Sequence, residues 1–293
     1  MALKLVVWHK KSKIPYASKI KVLSPAKINL YLNLLGRYSN GFHKLESIVE
    51  RISLCDEIEI SQSPDKTAAI ICNDKQLAGS DNLCIKAAQL MQKKFRLDYG
   101  FKINLTKKIP VGAGLGGGSS NAASVLIGIN ILAGLKLAKK ELYSLGAKLG
   151  SDVNFFLSDS PYALMQGRGE RITPFNGKKL KHTIIYPGVH LATKLVYQHT
   201  HFKLTKNLDN ANMIKNGLKN GDKALVESAT FNSLEKPALS LCVKIQDVKN
   251  YFAPKNIDFY VTGSGSALYS FSSINLFNGK LPGKWQVFEV DTF

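Results

Sequence analysis

The sequence predicts an α+β protein of two domains. Three observations carry that expectation: an opening series of near-alternating apolar runs, a glycine-rich loop feeding an apolar helix, and a change to longer helical stretches after about Pro187. A length of 293 residues suits two domains of ordinary size. Hydrophobic residues make up 45% of the chain, which is enough for a sizeable core, and nothing in the composition signals disorder.

Residues 1–22 read as a short flexible extension. The part before Val22 carries six lysines, no acidic residue and no arginine, and lacks the continuous apolar stretch of a secretory signal. KVLSPAKINLYLNLLG, Lys21 to Gly36, has apolar residues at near-alternate positions and predicts a strand, followed by the turn-rich RYSNGFH. SIVERISLCDEIEI predicts a second strand pair. Asp81 and Asn82 are expected to cap a helix over LCIKAAQLMQKKF, with Leu83, Ala87, Leu90 and Met91 on one face. FKINLTKKI is a strand by the alternation of Phe101, Ile103 and Leu105. A helix over KKELYSLGAKLG ends at Gly150. FFL, YALMQGRGERITP and HTIIYPGV then return to strand and turn, and IDFYVTGSGSALYSF is a late turn-rich β segment. A boundary near Lys178 to Lys181 gives domains over 23–178 and 179–293.

The uncharged stretch between Lys108 and Lys136 has an apolar part, Ala122 to Leu135, that is too short to cross a bilayer. A buried helix is expected there, and no membrane partner. The net charge is +19, yet only five of the 40 basic residues are arginine. Basicity that is arginine-poor and dispersed argues against a dedicated nucleic-acid binder and suits an anionic small molecule. Four cysteines show neither CxxC nor metal-ligand spacing, so free thiols in a reducing cytoplasm are expected.

Chemistry concentrates in PVGAGLGGGSSNAA, Pro110 to Ala123. Five glycines within seven residues let backbone N–H groups converge on an anion, and the following helix adds its positive N-terminal end. Ser119, Ser120 and Asn121 contribute polar groups. Gly112, Gly114 and Gly117 satisfy GxGxxG, but the acidic residue a dinucleotide site wants about 20 positions later is missing, since Glu141 lies inside a helix pattern. Gly118 stands where a Walker A loop has its lysine. The loop is a phosphate cradle of neither common type, and a nicotinamide or flavin site is disfavoured.

Two further groups stand out. Lys27 and Asn29 are two apart on a predicted strand and share a face, where they could bind an oxyanion or simply be solvated. Asp152, in GSDVNFFL, lies past a helix end and before an apolar run; it could be a positioned base or a helix cap.

The glycine loop resembles the second motif of the GHMP kinases, and its three-glycine form followed by SSNAA is most similar to the diphosphocytidyl-methylerythritol kinases. SPAKINLYLNLLGRYSNGFHKLESI, GSDVNFFL and VTGSGSALY (Val261 to Tyr269) resemble other motifs of that family, in order, from Ser24 to about Phe271. The resemblance implies a two-domain GHMP kinase fold, with a ribosomal protein S5 domain 2-like N-terminal domain and a ferredoxin-like C-terminal domain. It implies ATP-dependent phosphorylation of the C2 hydroxyl of 4-diphosphocytidyl-2-C-methyl-D-erythritol, with ATP and Mg2+.

By resemblance, ATP phosphates would lie on Pro110, Gly112, Ala113, Gly114, Leu115, Gly116, Gly117, Gly118, Ser119 and Ser120, with Ser119 or Ser120 on the metal. Asp152 would be the general base and Lys27 would sit at the acceptor hydroxyl. Asn29 would lie beside the substrate, His43 would read the cytosine edge, and Phe42 and Tyr197 would stack on its faces. Thr193 would contact the methylerythritol part, and Gly263 and Gly265 would let backbone approach the ligands. GRGERITP and FNSLEKPAL resemble family segments with a structural or packing role. Phe42 replaces a tyrosine, and Ser151 and Asn154 depart from Gly-Ala-Asp-Val-Pro-Phe-Phe.

The rival readings are a mevalonate- or homoserine-type GHMP kinase and a non-catalytic basic protein binding phosphate or nucleic acid. The trio Phe42, His43 and Tyr197 speaks against the former, whose substrates have no base to stack. A cytoplasmic, bacterial enzyme is expected in preference to a plastid one. It would be a monomer or weak homodimer, without nucleic-acid partners.

Overall fold

The computed structural model describes residues 5–8, 19–158, 160–200, 209–274 and 281–293. The chain opens with β1 (Leu5–Trp8), β2 (Lys19–Arg37), β3 (His43–Ser63), β4 (Ala68–Cys72), α1 (Leu83–Phe95) and β5 (Gly100–Thr106). Then come α2 (Gly117–Leu132), α3 (Lys139–Leu149), α4 (Val153–Leu157), β6 (Tyr162–Gly167), β7 (Arg171–Phe175) and β8 (Lys181–Tyr186). Next are α5 (Thr193–Gln198), α6 (Asn210–Asn220), α7 (Lys223–Ser228), β9 (Phe231–Asn232), α8 (Glu235–Leu241) and α9 (Val243–Phe252). Last are β10 (Tyr260–Val261), β11 (Leu268–Ser270) and β12 (Gln286–Asp291).

Two compact units interleave along the chain. One comprises Met1–Ala26, Cys55–Ile109 and Gly117–Ser160, the other Lys27–Leu54, Pro110–Gly116 and Pro161–Phe293. A single linear boundary near residue 178 does not describe this packing, because β2 and β3 each contribute to both units.

In the first unit the strand order is β1–β2–β3–β5–β4, with β4 parallel to β5. Leu5–Trp8, within the 1–22 segment, pair antiparallel with Lys19–Val22. Helix α2 is buried over most of its length and packs on α1, α3 and α4. Gly128 allows its approach to the sheet, since a Cβ there would lie 2.5 Å from Ile60 Cδ1. No helix among the described residues is long and apolar enough to cross a membrane. The cysteines are free thiols, and burial pushes that of Cys84 up to about 12.

Several local expectations shift. SIVERISLCDEIEI is part of one continuous strand, because it contains no glycine, proline or asparagine to turn it. The cap of α1 is Asn82, whose Oδ1 accepts from Cys84 N at 2.8 Å, while Asp81 pairs at the surface with Lys86. The buried face of α1 is Cys84, Ile85, Ala87, Ala88 and Met91, which leaves Leu83 and Leu90 at its margin. Gly150 ends α3 in extended backbone rather than a left-handed cap. FFL belongs to the short helix α4: an apolar run of three has no period to decide strand from helix, and packing on α2 and α3 decides it.

In the second unit, β9, β2, β3, β6 and β7 are neighbours in that order, and a separate antiparallel sheet runs β10–β11–β8–β12. Its core gathers Val196, Leu234, Ala238, Ile245, Phe252 and Val261. A polar cluster is buried beside it. Glu50 accepts from Thr292 Oγ1 at 2.6 Å and lies 2.9 Å from His182 Nε2, and Leu180 N donates to Thr292 Oγ1 at 2.8 Å. Burial and the Glu50 charge raise the pKa of the neighbouring Tyr162.

Thr292→Val keeps the side-chain shape but removes a donor from a buried carboxylate and an acceptor from a buried N–H. The expected loss is about 1–3 kcal/mol in urea unfolding, with the midpoint shifted and the slope unchanged.

Candidate active site

Lys27 and Asn29 project from one face of β2, as their spacing requires, and both are buried. The Lys27 ammonium donates to Asn29 Oδ1. The Asn29 backbone is held by Thr262 Oγ1, which accepts from its N at 3.0 Å, and by the Tyr269 hydroxyl, which donates to its O at 3.1 Å. These two residues bracket the GSG turn. Gly263, at φ +56°, closes on the pair: a Cβ there would lie 3.1 Å from Lys27 Nζ and 3.3 Å from Asn29 Oδ1. Asn232 pins the turn from behind, its Nδ2 donating to Val261 O at 2.7 Å and Gly263 O at 2.8 Å.

The first half of the glycine loop meets the same turn backbone to backbone. Gly114 has φ +77°, and a Cβ on it would fall 2.2 Å from the Thr262 carbonyl oxygen. Three loop carbonyls are engaged: Gly112 O accepts from Leu191 N, Ala113 O from Ala267 N and Leu115 O from Lys27 N, at 3.2, 3.1 and 2.9 Å. The N–H groups of residues 111–116 donate to nothing among the described residues. Peptide planarity turns the N–H of Ala113, Gly114 and Gly116 away from the engaged carbonyls that precede them. Carbonyls tied back and N–H groups left over make an anion cradle.

Thr193, at the start of α5, reaches the same turn through a 2.9 Å contact with Ser264 Oγ. One turn further along α5, the Tyr197 ring lies 5.0 Å from that of His43. His43 Nε2 is 3.4 Å from Arg37 Nη2; a guanidinium only donates, so this nitrogen accepts and the neutral ring carries its proton on Nδ1. Burial, then the Arg37 charge, lowers the His43 pKa from its ordinary 6.5. Phe42 is 53% exposed and carries the Arg168 guanidinium over its ring at 4.9 Å. The sequence reading gave GRGERITP a supporting role and so passed over Arg168. Its signal was being one of five arginines in a chain that otherwise uses lysine.

The second half of the loop opens α2 in the first unit. Ser120 is fully buried and accepts from Ser24 Oγ at 2.9 Å, whereas Ser119 is half-buried, with no partner among the described residues. A Cβ on Gly150 would lie 3.7 Å from Ser119 Oγ. Asp152 occupies the N-cap position of α4 without a side-chain cap bond, so its carboxylate does not serve as a helix cap. Asn154, where the family pattern has proline, is buried against the gap left by Gly146.

Residues 82–167 match the model of the GHMP kinases N terminal domain. A 4-diphosphocytidyl-2-C-methyl-D-erythritol kinase of Geobacter sp. is 43% identical over 183 residues, 62% of this chain and 65% of the relative, a little under two thirds of its length. The kinase of the same description from Clostridioides difficile is 34% identical over 254 residues, 85% of this chain and 86% of the relative. The chain belongs to the 4-diphosphocytidyl-2-C-methyl-D-erythritol kinase family. A crystal structure of a 4-(cytidine 5'-diphospho)-2C-methyl-D-erythritol kinase superposes with a TM-score of 0.73 at 27% identity, covering 92% of this chain and 98% of the other. The two-domain α+β expectation is that of the GHMP kinases.

Within this kinase family's framework, the sequence reading missed one buried carboxylate at the base of the loop. Asp56 Oδ1 accepts from Lys108 N at 2.7 Å and Ile109 N at 2.9 Å. Its Oδ2 accepts from Asn121 Nδ2 at 2.9 Å and from the Lys107 ammonium. Asn121 Nδ2 also reaches Ser24 Oγ at 3.0 Å. One side chain of β3 thus fastens the segment entering the loop and the first turn of α2. A signal was present: in CDEIEI, Asp56 shares the buried parity of Ile58 and Ile60, a position where a carboxylate must be paired.

Asp56→Ala strands the Lys107 ammonium and two backbone donors in a buried site. The expected cost is about 3–5 kcal/mol in chemical denaturation, several times that of Asp81→Ala at the exposed pair with Lys86.

Proposed function

We propose that this chain transfers the γ-phosphoryl group of ATP to the C2 hydroxyl of 4-diphosphocytidyl-2-C-methyl-D-erythritol, a step of the non-mevalonate route to isoprenoid precursors. The observation that carries the reading is the run of uncommitted N–H groups in residues 111–116, whose carbonyls are held by the backbone N–H of Leu191, Ala267 and Lys27, beside the turn that closes on Lys27. Family membership supplies the substrate.

Phosphoryl transfer needs positioning and charge neutralisation more than covalent help. Pro110 to Ser120 hold the ATP phosphates, chiefly through backbone donors. Asp152 takes the proton of the attacking hydroxyl. Lys27 stabilises charge that develops on the transferring group, and Asn29 holds Lys27. Mg2+ would neutralise charge on the ATP phosphate oxygens. Its hard-oxygen preference fits the hydroxyl of Ser119 better than that of Ser120, which is committed to Ser24. No cluster of three or more His, Cys, Asp or Glu side chains that could hold a metal is found among the described residues, so ATP itself would supply most of the ligands. His43 reads the cytosine edge and Tyr197 stacks on the ring, with Phe42 as the second face. Thr193, Gly263 and Gly265 line the methylerythritol side. The partners are small molecules, the compartment is the cytoplasm, and the protein is a monomer or weak homodimer.

The test is phosphorylation of the cytidyl substrate by ATP, with mevalonate and homoserine in parallel. Turnover of the cytidyl substrate alone is expected, and Asp152→Ala should lower kcat by about 10²–10⁴-fold. Folded wild-type protein that phosphorylates none of them would overturn the reading.

Loss of the stacking face in Tyr197→Leu should raise KM for the cytidyl substrate by about 2–10-fold and leave KM for ATP unchanged. The lowered pKa of His43 sets a pH window. The ring is neutral at and above pH 7, so KM for the cytidyl substrate should be flat there and rise only once pH falls below 6.5. In His43→Gln that acid limb should vanish.

A further inference from the structure

The hydrogen bonds behind Lys27 run in one direction only. Lys27, Asn29 and Ser47 are 5%, 6% and 1% exposed, so water does not reshuffle their partners. Ser47 Oγ lies 2.5 Å from the carbonyl oxygen of Tyr31, in the interior of β2. A carbonyl oxygen only accepts, so the serine hydroxyl donates and its single proton is spent. What the hydroxyl still offers is lone pairs. Asn29 Nδ2, 2.9 Å away, donates to them. An amide that turns its NH2 toward Ser47 turns its Oδ1 the other way, onto the Lys27 ammonium, which has donors and no acceptor.

We propose that Ser47 is a positioning residue for the phosphoryl transfer: by dictating which way the Asn29 amide faces, it holds the Lys27 ammonium in its working place. The inference rests on the role given to Lys27 under the proposed function. Neither the motif reading nor the relatives' names assigns Ser47 any part. Its effect is all orientation, since Asn29 stands between it and the ammonium that meets the substrate.

The alternative arrangement shows why orientation matters. With the amide flipped, Asn29 would present its NH2 to the ammonium and its oxygen to a hydroxyl that has no proton left to give. Both contacts would then be repulsive in a low-dielectric site. The carbonyl of Tyr31 is fixed by the strand, so the wild-type chain has one consistent solution. Removing the hydroxyl removes one of the two contacts that select it. In Ser47→Ala the ammonium still favours Oδ1, but Asn29 Nδ2 loses its buried acceptor and the amide its anchor, so Oδ1 is no longer held in one place for Lys27.

The experiment is steady-state kinetics of the full chain with ATP and the cytidyl substrate. Ser47→Ala should lower kcat about tenfold, as expected for displacing one electrostatic group, with both KM values within twofold of wild type. Ser47→Thr keeps the hydroxyl and should restore kcat. In a Lys27→Met background, Ser47→Ala should cost nothing further, because the group it positions is gone. A purely structural role would instead lower stability in both backgrounds and would not split kcat from KM.

Wild-type protein without turnover defeats the kinase reading itself. Wild-type turnover with Ser47→Ala kcat within twofold, or a threonine variant that does not recover, overturns this inference alone. Should the alanine variant fail to fold, Ser47→Cys, close in size with a weakly hydrogen-bonding thiol, answers the same question: kcat within twofold of wild type overturns the proposal.

Discussion

Two stretches of backbone approach one another more closely than side chains permit. Gly114 and the Thr262 carbonyl leave no room for a Cβ, and Gly263 leaves only a tight fit beside Lys27. From that approach the rest of the second unit's site follows. The loop carbonyls of Gly112, Ala113 and Leu115 find donors in the segments around them, so the loop cannot rotate its peptides without breaking three hydrogen bonds. The same peptides present their N–H groups outward as a fixed set. Lys27 enters this arrangement twice, through its backbone N to Leu115 and through its ammonium to Asn29. Backbone geometry and the side-chain relay are therefore one construction, and a change in either is felt by the other.

Buried charge is handled the same way in each unit. Asp56 receives two backbone donors, an amide and an ammonium; Glu50 receives a hydroxyl and lies against an imidazole. A carboxylate removed from water costs several kcal/mol unless such partners surround it. Both lie on β3, on either side of its middle, and both join segments distant in sequence. Their value lies in fixing which segments meet, since an apolar residue in either place would fill space without choosing partners.

Much of this was legible in the sequence, for reasons that can be named. The strands β2 and β5 announced themselves by alternation, α1 by its cap and period, and the close backbone approach at residues 112–114 by its glycines. Lys27 and Asn29 shared a face because a strand has period two. Other features left little trace. Asn232 and Ser47 are single polar residues whose importance lies in a partner far away in the chain, and no local pattern marks such a pair. FFL reads as strand because three apolar residues carry no period. The interleaving of the units depends on two strands long enough to serve both, and SIVERISLCDEIEI, which predicts a strand pair, does not show that length.

The uncommitted N–H donors of residues 111–116 belong to the main chain. Every residue except proline supplies the same N–H, so exchanging a side chain leaves the donor in place, and only a change that deforms the loop removes it. A donor surface built this way is close to invisible to point mutation. On the proposed function, a compound that took its affinity from these amides would confront a resistant variant with a narrow choice: keep the glycines and remain sensitive, or alter them and lose the donors proposed to hold its nucleotide.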